Sequence, residues 1–167
     1  MGKAILITGF HSWGKTTLIY ELFQQRRFNL DFTYPIANVN AQFVVESHSN
    51  DDDTEDNYVA RLQERMRRAP GRNNDLLCAL CPTRERNNDS NRILQHHLFE
   101  QFDDIYLFVL KFKWDHHAKL TMPTLQTYFK NSRVNIVVID ADTNVEGDQE
   151  RLAARHQQTL HELSNIF

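Results

Sequence analysis

The chain has no apolar run approaching the ~20 residues needed to cross a bilayer, so no membrane-spanning helix and no membrane partner are expected. Its opening stretch, MGKAILITGF, is interrupted too soon for a secretory leader. Leu6 stands where an N-myristoylation signal following Gly2 would carry Ser or Thr. A reducing cytoplasm is the expected location. There is no excess of positive charge: 19 Lys and Arg against 22 Asp and Glu give a formal net charge of −3. A broad nucleic-acid footprint is therefore not expected, although a local basic patch stays compatible with the composition. Cysteine is scarce. Cys78 and Cys81 form one C-x-x-C pair in LLCALCPT, and no second pair completes a zinc site. The run reads as a buried strand, on which residues three apart point to opposite faces, so neither metal nor redox chemistry is expected there.

What is present is an alternation. KAILITGF, NAQFVVES, DLLCALC, DDIYLFVLKF and NIVVIDAD read as strands. KTTLIYELFQQRRF, YVARLQERMRRA, NRILQHHLFEQF, TLQTYFKN and GDQERLAARHQQTLHELSNIF read as helices. Strands followed by helices five times over predict an α/β fold, a three-layer sandwich with a five-stranded parallel sheet. The 167 residues are expected to form a single domain, 1–167. The polar, acidic SHSNDDDTEDN reads as a mobile loop.

One motif carries chemistry. Gly9-x-x-x-x-Gly14-Lys15-Thr16 has the full phosphate-loop spacing. Glycines let the backbone N–H groups converge on one concavity. The helix that starts there adds partial positive charge. Lys15 would neutralise the β- and γ-phosphates, and the Thr16 hydroxyl would ligate Mg²⁺. A chance match in a chain of this length is roughly one in two hundred, and this one falls after a strand and before a helix. The binding set is thus Gly9, His11, Ser12, Trp13, Gly14, Lys15, Thr16 and Thr17. Trp13 either packs over a nucleotide or acceptor or closes the loop against the protein itself, and the residues leave both open.

The layout resembles the nucleoside and nucleotide kinases among the P-loop NTPases, nearest the deoxynucleoside kinase and thymidylate kinase group. The matching stretches are the phosphate loop, FVVES ending in Glu46, and ERNNDSNR (Glu85 to Arg92), with DDIYL and VVIDAD in the fourth and fifth strand positions. The resemblance implies the P-loop NTPase fold, ATP and Mg²⁺ as cofactors, and Glu46 as the carboxylate that takes the acceptor's proton. It also implies a lid rich in Arg after the fourth strand. Here KFKWDHHAKLTM offers Lys111, Lys113 and Lys119 instead, point charges without the bidentate fork. A GTPase reading lacks its D-x-x-G switch, and FKWD has Phe112 where the base-reading motif has Asn. Arg84 and Arg86 follow the third strand, near the crevice where open α/β folds bind ligands. They read either as phosphate-holding groups or as solvated surface.

Other polar clusters read as structure. Asp115-His116-His117 reads as a polar loop, because no further metal ligands follow at useful spacing. The arginines at 61–68 read as a solvated helix face, and Asp140 and Asp142 as turn caps. The expected function is a small ATP-dependent kinase. It would transfer the γ-phosphate to a nucleoside, nucleotide or similar small acceptor, with Lys15, Glu46, Arg84 and Arg86 as the catalytic set. The alternative is a nucleotide-binding regulatory or adaptor NTPase without kinase activity. A weaker option is a 5′-hydroxyl polynucleotide kinase, whose oligonucleotide binding would fall steeply with salt.

Overall fold

The computed structural model describes residues 2–130 and 133–167. Along the chain run β1 (Gly2–Thr8), α1 (Lys15–Phe23), β2 (Tyr34–Pro35), β3 (Gln42–Glu46), α2 (Glu55–Arg68), β4 (Asp75–Leu80), β5 (Arg84–Glu85), β6 (Asn88–Asp89), α3 (Ser90–Gln95), β7 (Phe102–Leu110), α4 (Met122–Tyr128), β8 (Val134–Ile139) and α5 (Asp148–Ile166). The fold is α/β, with helices around a six-stranded sheet of order β2-β3-β4-β1-β7-β8. β3, β4, β1, β7 and β8 pair in parallel.

The expected five-stranded, wholly parallel sheet is corrected by β2, which pairs antiparallel with β3. Two residues have no period to read, and Pro35 lacks the N–H an interior strand needs, so such a segment belongs at an edge. The two-residue strands β5 and β6 form a separate small hairpin and were equally invisible. Two predicted helices are shorter than their patterns. α1 stops at Phe23 because Gln24 turns left-handed, with φ 54°. NRILQHHLFEQF breaks at His96, whose backbone is extended and whose Nδ1 accepts from the Leu98 N–H at 3.1 Å. A 3₁₀ segment then leads into β7.

β1 is buried along almost its whole length, as a central parallel strand must be. From β1 the chain crosses outward past β4 to β3. From β4 it crosses back over β1 to β7. With right-handed crossovers, the connections leaving the carboxyl ends of β1 and β4 diverge and open a crevice there. α1 packs on α5, and α2 packs on α3. Among the described residues no helix is long and apolar enough to cross a membrane.

The core is aromatic where helices meet the sheet. The Phe43 ring meets Phe23 of α1 at 5.9 Å and Phe167 at 5.3 Å, both edge-on. Tyr58 of α2 is fully buried and donates to the Ala79 carbonyl at 2.6 Å. Burial pushes the Cys78 thiol up to about 12 and the Cys81 thiol up to about 11.

Two outcomes are expected. Phe43→Ala should lower stability by about 3–5 kcal/mol in a urea melt, because it empties a site ringed by two aromatic partners. Neither thiol should react quickly with a disulfide reagent at pH 8, and both should react in denaturant. The folded thiols hold their protons more tightly than the unfolded ones, whose ordinary value is 9.0. This contribution to stability is complete below about pH 9 and is lost as pH rises towards 11 to 12.

Candidate functional site

The β1–α1 loop is organised around one carbonyl. The Phe10 oxygen accepts from the Trp13 N–H at 3.3 Å and from the Lys15 ammonium at 2.8 Å. Gly9 N–H donates to Leu80 O at 3.2 Å, which fastens the loop's start to the end of β4. Ser12 and Gly14 have φ of 60° and 88°. A Cβ at Gly14 would also lie 3.0 Å from the Arg155 guanidinium, so both conformation and space require glycine there. Trp13 is buried, edge-on to Phe10 at 5.3 Å. Of the two readings left open for it, packing against the protein is the one realised, although it still lines one wall of the cleft. Lys15 is buried as well, and desolvation pulls its pKa below the ordinary 10.5, against the nearby Cys81, Asp51 and Asp52.

The segment read as a mobile acidic loop is anchored. Asn50 is wholly buried. The two N–H groups of its amide are shared among Asn88 Oδ1 at 2.8 Å, Cys81 O at 3.1 Å and Thr83 Oγ1 at 3.1 Å, and its Oδ1 accepts from Cys81 N–H at 2.7 Å. Thr16 Oγ1 donates to Ser47 O at 2.9 Å, tying α1 to the same segment. A buried amide engaged through both its nitrogen and its oxygen fixes a loop where net charge alone predicts freedom. The result is that Asp51 and Asp52 face the phosphate-loop motif. Ligand atoms of His11, Asp51 and Asp52 lie within 4.8 Å of one another, and His11 Nδ1 is 3.0 Å from Asp51 Oδ2. Hard carboxylate oxygens suit Mg²⁺, and an imidazole widens the choice to transition metals.

Over the start of α1 lies a cleft of about 490 Å³, lined by residues 11–17, by His48, Ser49, Asp51 and Asp52, and by Trp114 and Leu152. A groove of about 550 Å³ adjoins it, and the two share His11 and Asp51. Phe10, Tyr128, Thr83 and Arg84 line the groove. Seven of the eight predicted binding residues are thus brought together, while Gly9 is buried and does not line the cleft. Glu46 does not line the cleft. It is buried, accepts from Arg65 at 2.8 Å and from the His48 N–H at 3.0 Å, and lies 3.7 Å from Arg61. Arg84 reaches the groove from the β5–β6 hairpin, while Arg86 is exposed and outside both cavities.

Beside the loop lies a buried ion pair that the sequence reading did not foresee: Arg155 was not singled out, and Asp142, read as a turn cap, turns its carboxylate to Arg155 and His116 instead. Arg155 of α5 is 1% exposed. Its guanidinium donates to Trp13 O and Phe112 O, each at 2.8 Å, and lies 3.5 Å from Asp142. Asp142 Oδ2 also meets His116 Nε2 at 3.2 Å, while Oδ1 has no partner among the described residues. Burial lowers the Arg155 pKa against the pull of Asp142. The available signal was positional: Arg155 shares one helix face with Leu152, Thr159 and Leu163, the buried seam of α5. The three lysines of the 111–119 segment do not line the cleft. That segment is a tight hairpin, closed by the Phe112–Lys119 bridge and by Lys113 N–H to Ala118 O at 2.8 Å. Lys113 is paired with Asp115 at 3.2 Å.

No protein-family model matches the chain, and a search of curated proteins finds no match to it.

Arg155→Met should destabilise the protein by about 3–5 kcal/mol, because it strands a buried carboxylate. Adding Asp142→Asn should recover a measurable part of that loss in urea melts. A double variant no more stable than Arg155→Met would contradict the pairing.

Proposed function

We propose that the chain binds a nucleoside triphosphate at the 9–16 loop and transfers its γ-phosphoryl group to a small hydroxyl- or phosphate-bearing acceptor. The observation that carries this reading is the junction of two cavities at the phosphate loop. The cleft over α1 offers backbone N–H groups, a helix N-terminus and the Lys15 ammonium, which suits a polyphosphate. The adjoining groove offers aromatic walls and Arg84, which suits a ring-bearing, anionic acceptor such as a nucleoside or nucleotide.

Transfer of this kind rests on positioning and charge neutralisation. Lys15 meets the β- and γ-phosphates. Thr16 and Asp52 are the residues that would hold Mg²⁺, and their hard oxygens fit it. When bound, the ion supplies neutralisation of the charge that develops on the phosphate oxygens. The acceptor oxygen attacks the γ-phosphorus, its proton passes to a carboxylate, and the bond to the β-bridging oxygen breaks with its electron pair leaving on the nucleoside diphosphate. Asp51 suits the proton-accepting role better than Glu46. Its oxygens are met by the Ser49 hydroxyl and the His11 ring, but it borders both cavities, whereas Glu46 lines neither.

One observation favours the alternative, a nucleotide-dependent adaptor. Lys15 is the sole Lys or Arg among the described residues that line the cleft. Arg155 meanwhile joins the loop to the 111–119 hairpin, a route by which occupancy could be presented to a partner.

Equilibrium dialysis with labelled ATP and Mg²⁺ tests the binding step. Lys15→Ala should weaken binding at least tenfold, about 1.4 kcal/mol or more, and unchanged binding would overturn the reading. ADP formation with a panel of nucleosides and nucleoside monophosphates tests transfer. Asp51→Asn should lower turnover by ~10²–10⁴. Binding without ADP formation on any acceptor would decide for the adaptor.

A further inference from the structure

We propose that Trp114 and Leu152 form a platform that holds a nucleobase by its faces without reading its edges, so that the chain accepts ATP and GTP alike. The inference rests on the triphosphate reading above and deepens it.

Beyond the 11–17 and 48–52 segments, the described lining of the cleft consists of these two side chains. Trp114 begins at the phosphate end: its Cβ is 3.9 Å from the position a Cβ would take on Gly14. Leu152 lies one helical turn before Arg155 on α5, so the helix that clamps the loop also supplies the second wall. Trp114 is held in place. Its hairpin is tied to Arg155 through Phe112 O at 2.8 Å, and His116 stacks on the Phe112 ring at 4.6 Å.

Edge discrimination needs polar groups matched to the donors and acceptors of one base's edge, and the platform offers almost none. Trp114 and Leu152 together contribute one polar side-chain atom, the indole N–H. The neighbouring carboxylates are committed. Asp115 pairs with Lys113 at 3.2 Å and accepts from the His117 N–H at 3.0 Å. Asp142 faces Arg155 and His116, and its free oxygen is sealed from solvent. Flat apolar walls favour stacking, which every base satisfies with its π-face. A cleft of about 490 Å³ is of the size that takes such a ligand.

Calorimetric titration with Mg·ATP, Mg·GTP and inorganic tripolyphosphate, into the parent chain, Trp114→Ala and Trp114→Phe, tests this. In the parent, ATP and GTP should bind within about threefold of each other and at least tenfold tighter than tripolyphosphate. Trp114→Ala should bring both nucleotides close to tripolyphosphate while leaving tripolyphosphate affinity unchanged. Trp114→Phe, which keeps an aromatic face, should retain most of the nucleotide advantage and shows that loss in the alanine variant is not misfolding. A preference above tenfold for one base, or nucleotide affinity unchanged in Trp114→Ala, overturns the platform while leaving the phosphate loop standing. Failure of all three probes to bind the parent overturns the platform together with the triphosphate reading.

Discussion

The Arg155 guanidinium holds the site together. It is a charge taken out of water, with two backbone carbonyls and a carboxylate as its return. One carbonyl belongs to the loop after β1 and the other to the hairpin after β7, strands that are neighbours in the sheet. A group in this position is a crosslink in all but covalency. Removing it leaves the buried Asp142 carboxylate to the His116 ring alone among the described side chains, and burial of a charge is tolerated far better with its partner than without it. The same guanidinium sets the space at Gly14, so the glycine of the motif answers to a residue 141 positions further along the chain.

On the other side of the loop, Asn50 does by neutral hydrogen bonds what Arg155 does with charge. It ties the segment after β3 to the end of β4 and so turns Asp51 and Asp52 towards Lys15. Between these two anchors the loop is preassembled. Phe10 O gathers Lys15 and the Trp13 N–H, and Trp13 is packed beneath. Preorganised donors of this kind lose little freedom on meeting an anion. On the proposed reading, the crevice created by diverging β1 and β4 connections becomes a polyphosphate seat on one side and an acceptor groove on the other.

The sequence made the α/β alternation legible because buried parallel strands write continuous apolar runs and the helices between them keep a 3.6-residue period. It made the loop legible because Gly9, Gly14, Lys15 and Thr16 fall at a fixed spacing within eight consecutive residues. It did not make legible what depends on distant pairs. Nothing near Arg155 in the chain announces Trp13 or Phe112, and nothing in NDDD announces that Asn50 will be sealed against Cys81 and Asn88. Glu46 was picked out by the kinase resemblance, from its place at a strand end, which says where a carboxylate lies and not which arginines of α2 will claim it. The short strands β2, β5 and β6 exist through their partners, so no local pattern could mark them.

The central claim is that this preassembled loop takes a nucleoside triphosphate. The most direct measurement is a calorimetric titration of Mg·ATP into the unaltered chain near neutral pH. The account predicts saturable binding at one site per chain, with a dissociation constant between about 1 μM and 1 mM, the range in which enzymes commonly hold their substrates. Heats no different from dilution up to several millimolar nucleotide would contradict it, and would mean that Arg155, Asn50 and buried Trp13 brace the loop without a phosphate to receive.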